Sequence, residues 1–91
     1  LYDTRGLSTL DAPHSPAGRD LIAEFVEACR AEDIIPFFYH TTIDWQWWKK
    51  VAWPTQPDGG ARFPEYLDYL HASIEVLCRN YGSIGGFWFD G

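Results

Sequence analysis

The residues best equipped for chemistry are two carboxylates and a histidine set among aromatics. Asp90 closes the run Ile84-Gly85-Gly86-Phe87-Trp88-Phe89-Asp90-Gly91, an apolar stretch that ends in one carboxylate and a glycine. Such a run reads as a buried strand, and α/β barrels and open sheets place their chemistry at the C-terminal ends of their strands. A carboxylate there has two readings. It is a nucleophile or acid/base group, or it is a strand-terminating Asp that caps the following turn. His40 closes a second apolar run, Ile34-Ile35-Pro36-Phe37-Phe38-Tyr39-His40, and Asp44 and Trp45 follow it directly. The spacing of His40, Asp44 and Asp90 leaves a metal-dependent barrel hydrolase open. A single His beside a Trp-rich loop nevertheless suits metal coordination poorly.

The elements that must position these groups follow from periodicity. Residues 1–18 carry Gly6, Pro13, Pro16 and Gly18 and sustain no period, so they read as a loop in which Asp3, Asp11 and His14 are solvated. Across residues 19–32 the spacing of Leu21, Ile22, Phe25, Val26, Ala28 and Cys29 predicts a helix with one apolar face. Ser15 and Pro16 suit its cap and first turn, and Asp33 marks its end. Residues 34–40 predict a parallel strand apolar on both faces, with Pro36 tolerated near its start. Residues 63–81 predict a second helix through Leu67, Leu70, Ile74, Leu77 and Tyr81. Pro64 suits its first turn, Glu75 and Arg79 form an i,i+4 pair, and Gly82 is a left-handed cap. His71 lies beside that stripe as a surface or boundary residue. Cys29 and Cys78 both fall on apolar faces and read as buried free thiols.

The order helix, strand, helix, strand predicts parallel neighbours with a right-handed crossover, both strands ending on one rim. Alternation puts Gly86, Trp88 and Asp90 on one face of the last strand and Phe87 and Phe89 on the other, against helices. It likewise groups Pro36, Phe38 and His40 apart from Phe37 and Tyr39, without saying which group faces inward. Between the two units, residues 41–62 hold four Trp with Lys49, Lys50, Pro54, Pro57, Gly59 and Gly60. Long loops in compact domains are usually functional or disordered, and four Trp oppose disorder. They either form a sugar platform or cover an interface. Asp44 reads as an orienting residue or a partner of Lys49.

Composition narrows the class. With 91 residues there is one domain at most, 46% of it hydrophobic and 18% aromatic. The formal charge of −6 offers no basic surface to a phosphate backbone, so nucleic acid is excluded as a partner. No apolar run is long enough to cross a bilayer, and no signal peptide is seen at Leu1. A closed barrel needs eight strands, so these two strands are expected to be part of a larger barrel of which the chain is a fragment. Compartment, cytoplasmic or secreted, and oligomeric state are left open.

Three blocks carry a resemblance: Gly18-Arg19-Asp20-Leu21 through Arg30; Phe38-Tyr39-His40-Thr41 with Asp44-Trp45; and Phe63-Pro64-Glu65-Tyr66-Leu67-Asp68-Tyr69-Leu70 ending in Trp88-Phe89-Asp90-Gly91. In this order they resemble the α-L-fucosidases of glycoside hydrolase family twenty-nine. The resemblance implies an α/β chain that is part of a (β/α)8, TIM-like catalytic domain spanning residues 1–91. It implies a retaining exo-glycosidase that takes α-L-fucose from a fucosylated oligosaccharide or glycoconjugate, with no metal or other cofactor. Asp90 would be the nucleophile, and His40, Trp45 and Trp88 would contact the sugar. The family's His-His-Asp-Gly-Phe strand would precede Leu1, and its acid/base Glu would follow Gly91. Pro36 stands where the family more often has Gly or another small residue. A non-catalytic carbohydrate-binding barrel is the other reading of the same aromatics, and a chelator-sensitive activity would favour the metal-dependent one.

Overall fold

The computed structural model describes residues 1–48 and 62–91. The expected Asp44–Lys49 contact, and any part for Lys50, Trp53, Pro54, Pro57, Gly59 or Gly60, lie outside the described residues. In chain order the elements are α1 (Leu21–Ala31), β1 (Phe37–Thr41), α2 (Trp45–Trp48), α3 (Phe63–Asn80) and β2 (Gly86–Asp90). This is an α/β arrangement with two parallel strands, in the register Phe38 with Phe87, Tyr39 with Trp88 and Thr41 with Asp90. The ladder is lengthened at both ends: Gly85 N donates to Pro36 O at 2.8 Å and Thr42 N to Asp90 O at 2.7 Å. Pro36, lacking an N–H, therefore sits just before β1 and only accepts.

The helix that begins α1 starts later than Ser15 and Pro16 suggest. Its cap is Asp20, whose Oδ1 accepts from Ala23 N at 3.0 Å. Ser15 instead closes a local turn, with its hydroxyl donating to Ala12 O at 2.6 Å and accepting from Ala17 N at 3.2 Å. Both residue types satisfy orphan N–H groups, and Gly18, with φ +62°, breaks the chain between them. Asp33, at φ +56°, turns the chain out of α1 as expected.

At the other end, Gly82 takes the left-handed position after α3 at φ +73°, and a Cβ there would lie 2.5 Å from Arg30 Nη2. The gap is filled by that guanidinium, which donates to Tyr81 O and, at 3.4 Å, to Ser83 O. A cation at the C-terminal carbonyls of α3 is the favourable end of the helix dipole. Glu75 and Arg79 pair at 2.7 Å as the i,i+4 spacing predicts.

The core is Val26, Phe38, Leu77 and Tyr81, with Tyr2, Ile22, Ile84 and Phe87 packed against it. Phe38 meets Tyr81 and Phe87 edge-on, at 6.2 and 6.0 Å between ring centres. Burying such side chains contributes about 1.5–3 kcal/mol each, so Phe38 and Phe87 decide which face of the sheet turns to the helices. The buried side of α1 is narrower than its pattern suggests: Val26 and Cys29 are inside, while Phe25 and Ala28 are exposed. On α3 the buried residues are Tyr66, Ser73 and Leu77, and Cys78 is exposed, unlike Cys29. His71 is exposed on α3.

The first segment is a loop, but one of its polar residues is not solvated. Asp11 is buried, because Thr4 and His14 fold around its carboxylate. No helix among the described residues is long and apolar enough to cross a membrane.

Candidate active site

Asp90 lies at the C-terminal end of β2, on the sheet face turned away from the core. The same face carries Trp88, 73% exposed, and Tyr39, 66% exposed. The helix-facing side carries Phe87 and Phe89, whose rings stack at 5.4 Å. The alternation read from the sequence thus holds for this strand.

Among the described residues, two donors meet the Asp90 carboxylate. Gly91 N donates to Oδ1 at 2.8 Å, and the Tyr39 hydroxyl donates to Oδ2. The two donors are aimed at separate oxygens of the carboxylate. The bond to Asp90 also raises the Tyr39 pKa, with desolvation and the Asp90 charge adding to it, so the phenol stays protonated and donating at neutral pH. The backbone is held as firmly. The Asp90 carbonyl accepts from Thr42 N at 2.7 Å and from Thr42 Oγ1 at 3.1 Å. Gly91 adopts φ +107°, and a Cβ there would lie 2.8 Å from Thr42 Oγ1 and 2.9 Å from Ile43 Cγ1. A glycine is what lets the chain leave β2 with its amide aimed at the carboxylate.

His40 is on the other face. Its Nδ1 lies 2.7 Å from Thr41 O, which puts the proton on Nδ1, and Nε2 lies 3.4 Å from Ser73 Oγ on α3. Its ring meets Phe87 and Phe89 edge-on at 6.4 and 6.2 Å. The sheet's own alternation separates it from Asp90, so the expected sugar contact does not follow from the geometry. Tyr39 takes the place beside the carboxylate. Its signal in the sequence is the parallel register, which sets Tyr39 beside Trp88 and so on the Asp90 face.

Trp45, 81% exposed, opens α2. Asp44 holds this short helix in place. Its Oδ1 accepts from Gln46 N at 2.8 Å and Trp47 N at 3.4 Å, and its Oδ2 accepts from the Tyr69 hydroxyl at 3.0 Å. Asp44 N donates to the Tyr66 hydroxyl at 3.1 Å, and that hydroxyl donates to Thr42 O. Burial, and after it the Asp44 charge, raise the Tyr69 pKa, which keeps that phenol a donor. Trp47 packs on Tyr66 and Tyr69 at 5.9 and 5.1 Å. Two tyrosines of α3 therefore pin the loop that ties Asp90 down through Thr42. Both lie outside the stripe of Leu67, Leu70, Ile74, Leu77 and Tyr81 that marks α3 in the sequence.

Asp44 is thus a capping residue, and it, His40 and Asp90 do not converge. No group of three or more His, Cys, Asp or Glu side chains among the described residues is arranged to hold a metal ion. Compared with known proteins, residues 2–91 match the sequence model of the alpha-L-fucosidase family. No curated protein matches the chain.

Proposed function

The chain belongs to the alpha-L-fucosidase family, whose match covers residues 2–91, and from that premise we propose that it carries the nucleophile of a retaining fucosidase. Family membership supports glycoside hydrolase activity on fucosylated glycans. The observation that carries the finer reading is the Asp90 carboxylate. It stands at a strand's C-terminal end, on an open face, with one donor on each oxygen and Trp88 two residues away on the same side.

In this reading an Asp90 oxygen attacks the anomeric carbon of fucose. The carbon–oxygen bond to the leaving group breaks, and a second carboxyl group protonates that oxygen. The same group then takes a proton from water, which attacks the glycosyl ester and frees fucose with its configuration retained. Each Asp90 oxygen accepts one hydrogen bond and keeps a lone pair for attack. The Tyr39 and Gly91 donors stabilise the carboxylate both before attack and as it leaves. Trp88 offers an apolar face to the sugar and its C5 methyl group, and Trp45 a second aromatic surface beyond Thr42. His40 supports the strand from behind. The acid/base carboxyl would come from the part of the domain that the family places after Gly91.

The open face of Phe37, Tyr39 and Trp88 favours a barrel interior as the sheet's setting, with α1 and α3 outside. This supports a (β/α)8 domain containing residues 1–91. The test is nucleophile rescue in the protein carrying this sequence. Asp90→Gly should abolish fucose release, and azide should restore turnover, giving fucosyl azide of inverted configuration. Retained activity in Asp90→Gly would refute the assignment.

A further inference from the structure

The N-terminal segment buries a carboxylate that the proposed reaction does not use. The Asp11 side chain is 1% exposed, and four donors converge on it. Thr4 N and Thr4 Oγ1 reach Oδ2 at 3.1 and 2.9 Å, and His14 N and His14 Nδ1 reach Oδ1 at 3.2 and 2.5 Å. Only the last of these bonds comes from a group that titrates, and that imidazole is 67% exposed. Burial pushes the Asp11 pKa up, but the hydrogen bonds from His14 and Thr4 outweigh it and hold the carboxyl at about 2. The bond to Asp11 raises the His14 pKa, helped by the charge of Asp11 and, further off, of Asp3. Tyr2, which also faces Asp11, has its pKa raised by burial and stays neutral.

The segment held by this pair is a wall. Thr4, Leu10 and Asp11 line one side of a cavity of about 240 Å³ whose other side includes Tyr39, His40 and Asp44. Ser8 Oγ also donates to Gln46 Oε1 on α2 at 3.4 Å. We infer that the Asp11–His14 pair is a pH-sensitive clasp, which holds the N-terminal segment closed against the end of β1 while His14 is protonated and loosens it as His14 becomes neutral.

The signs follow from linkage. His14, raised on folding, contributes fully below its ordinary value of about 6.5, and that contribution is lost as pH rises through the higher folded value. Asp11, lowered on folding, contributes above its ordinary value of about 3.9, and that contribution is lost as pH falls through about 2. The clasp is tightest between these limits. Neutral His14 still donates from Nδ1 to the ionised Asp11 carboxylate, and what is lost is the attraction between the imidazolium and that carboxylate, so the segment loosens without coming undone.

The test is NMR on the whole chain over about pH 5 to 8, where histidine titrates. The His14 ring should titrate above the ordinary histidine value. Protection of the Thr4, Leu7 and His14 amides, corrected for intrinsic exchange, should fall several-fold through the same midpoint. His14→Gln, which keeps a neutral donor, should remove that pH dependence. A His14 midpoint at or below the ordinary value overturns the inference, as does amide protection that stays flat through the titration. Both of these readouts come from the unmutated chain, so they decide the matter even if the variant misfolds.

Discussion

Tyr81→Phe should cost more stability than the loss of one oxygen atom suggests. The Tyr81 hydroxyl joins three parts of the chain. It donates to Asp20 Oδ2, the cap of α1, at 2.5 Å and accepts from Asp3 N at 3.2 Å, while its own residue ends α3. Burial and, after it, the bond to Asp20 raise its pKa, so it remains a neutral donor at any working pH. Phenylalanine keeps the edge-on contact with Phe38 and removes only the bonds. A hydrogen bond to a charged group is worth about 1.5–3 kcal/mol. Asp20 is only half-buried and can regain water, so the lower end applies, about 1.5 kcal/mol. For a barrel domain of about 250 residues that lowers Tm by about 3–6 °C. Urea unfolding followed by circular dichroism should show a lower midpoint with an unchanged m-value. A cycle with Asp20→Ala should show that the two losses are not additive. A change below about 0.5 kcal/mol, the level of an ordinary surface substitution, or strict additivity in the cycle, would refute the reasoning.

Leu77→Ala, at a fully packed core position, should destabilise by about 2–5 kcal/mol in the same urea experiment. Trp88→Ala should weaken fucose binding measured by calorimetry, because the ring stands on the same face of β2 as Asp90. Tyr39→Phe should slow fucosyl transfer to Asp90 in single-turnover kinetics without altering the circular dichroism spectrum, since only the hydroxyl touches the carboxylate. Asp11→Asn should flatten the acid limb of a stability-against-pH curve. The native chain loses the Asp11 contribution as pH falls toward about 2, and the amide has no proton to gain.

Helices α1 and α3 and both strands are legible in the residue pattern because periodicity reports burial, whereas the four-residue α2 is too short to show a period and lies in what reads as a loop. The placing of Trp88 and Asp90 on one face of β2, with Phe87 and Phe89 on the other, needs nothing beyond alternation. Alternation alone cannot choose between Tyr39 and His40 as the neighbour of Asp90. That choice rests on the register between strands and on Phe38 being the residue that reaches the helices. The sequence points to Ser15 as the cap of α1, but Asp20 can accept from free amides equally well and takes that position, after the left-handed turn at Gly18. Asp11 gives no periodic signal at all. Its burial comes from a loop folding on itself through Thr4 and His14, residues too near in sequence to form an element. The hydroxyl bonds of Tyr66 and Tyr69 are hidden for another reason, since both residues lie outside the stripe of Leu67, Leu70, Ile74, Leu77 and Tyr81 that marks α3 in the sequence.

The claim that Asp90 is a covalent nucleophile is tested most directly by trapping the intermediate. Incubation with a 2-deoxy-2-fluoro-fucosyl fluoride, digestion and mass spectrometry should find one fluorofucosyl ester on the peptide containing Trp88-Phe89-Asp90-Gly91, with fragmentation locating it at Asp90. An ester on another carboxylate, or no ester from a protein that still turns over fucoside, would contradict the account.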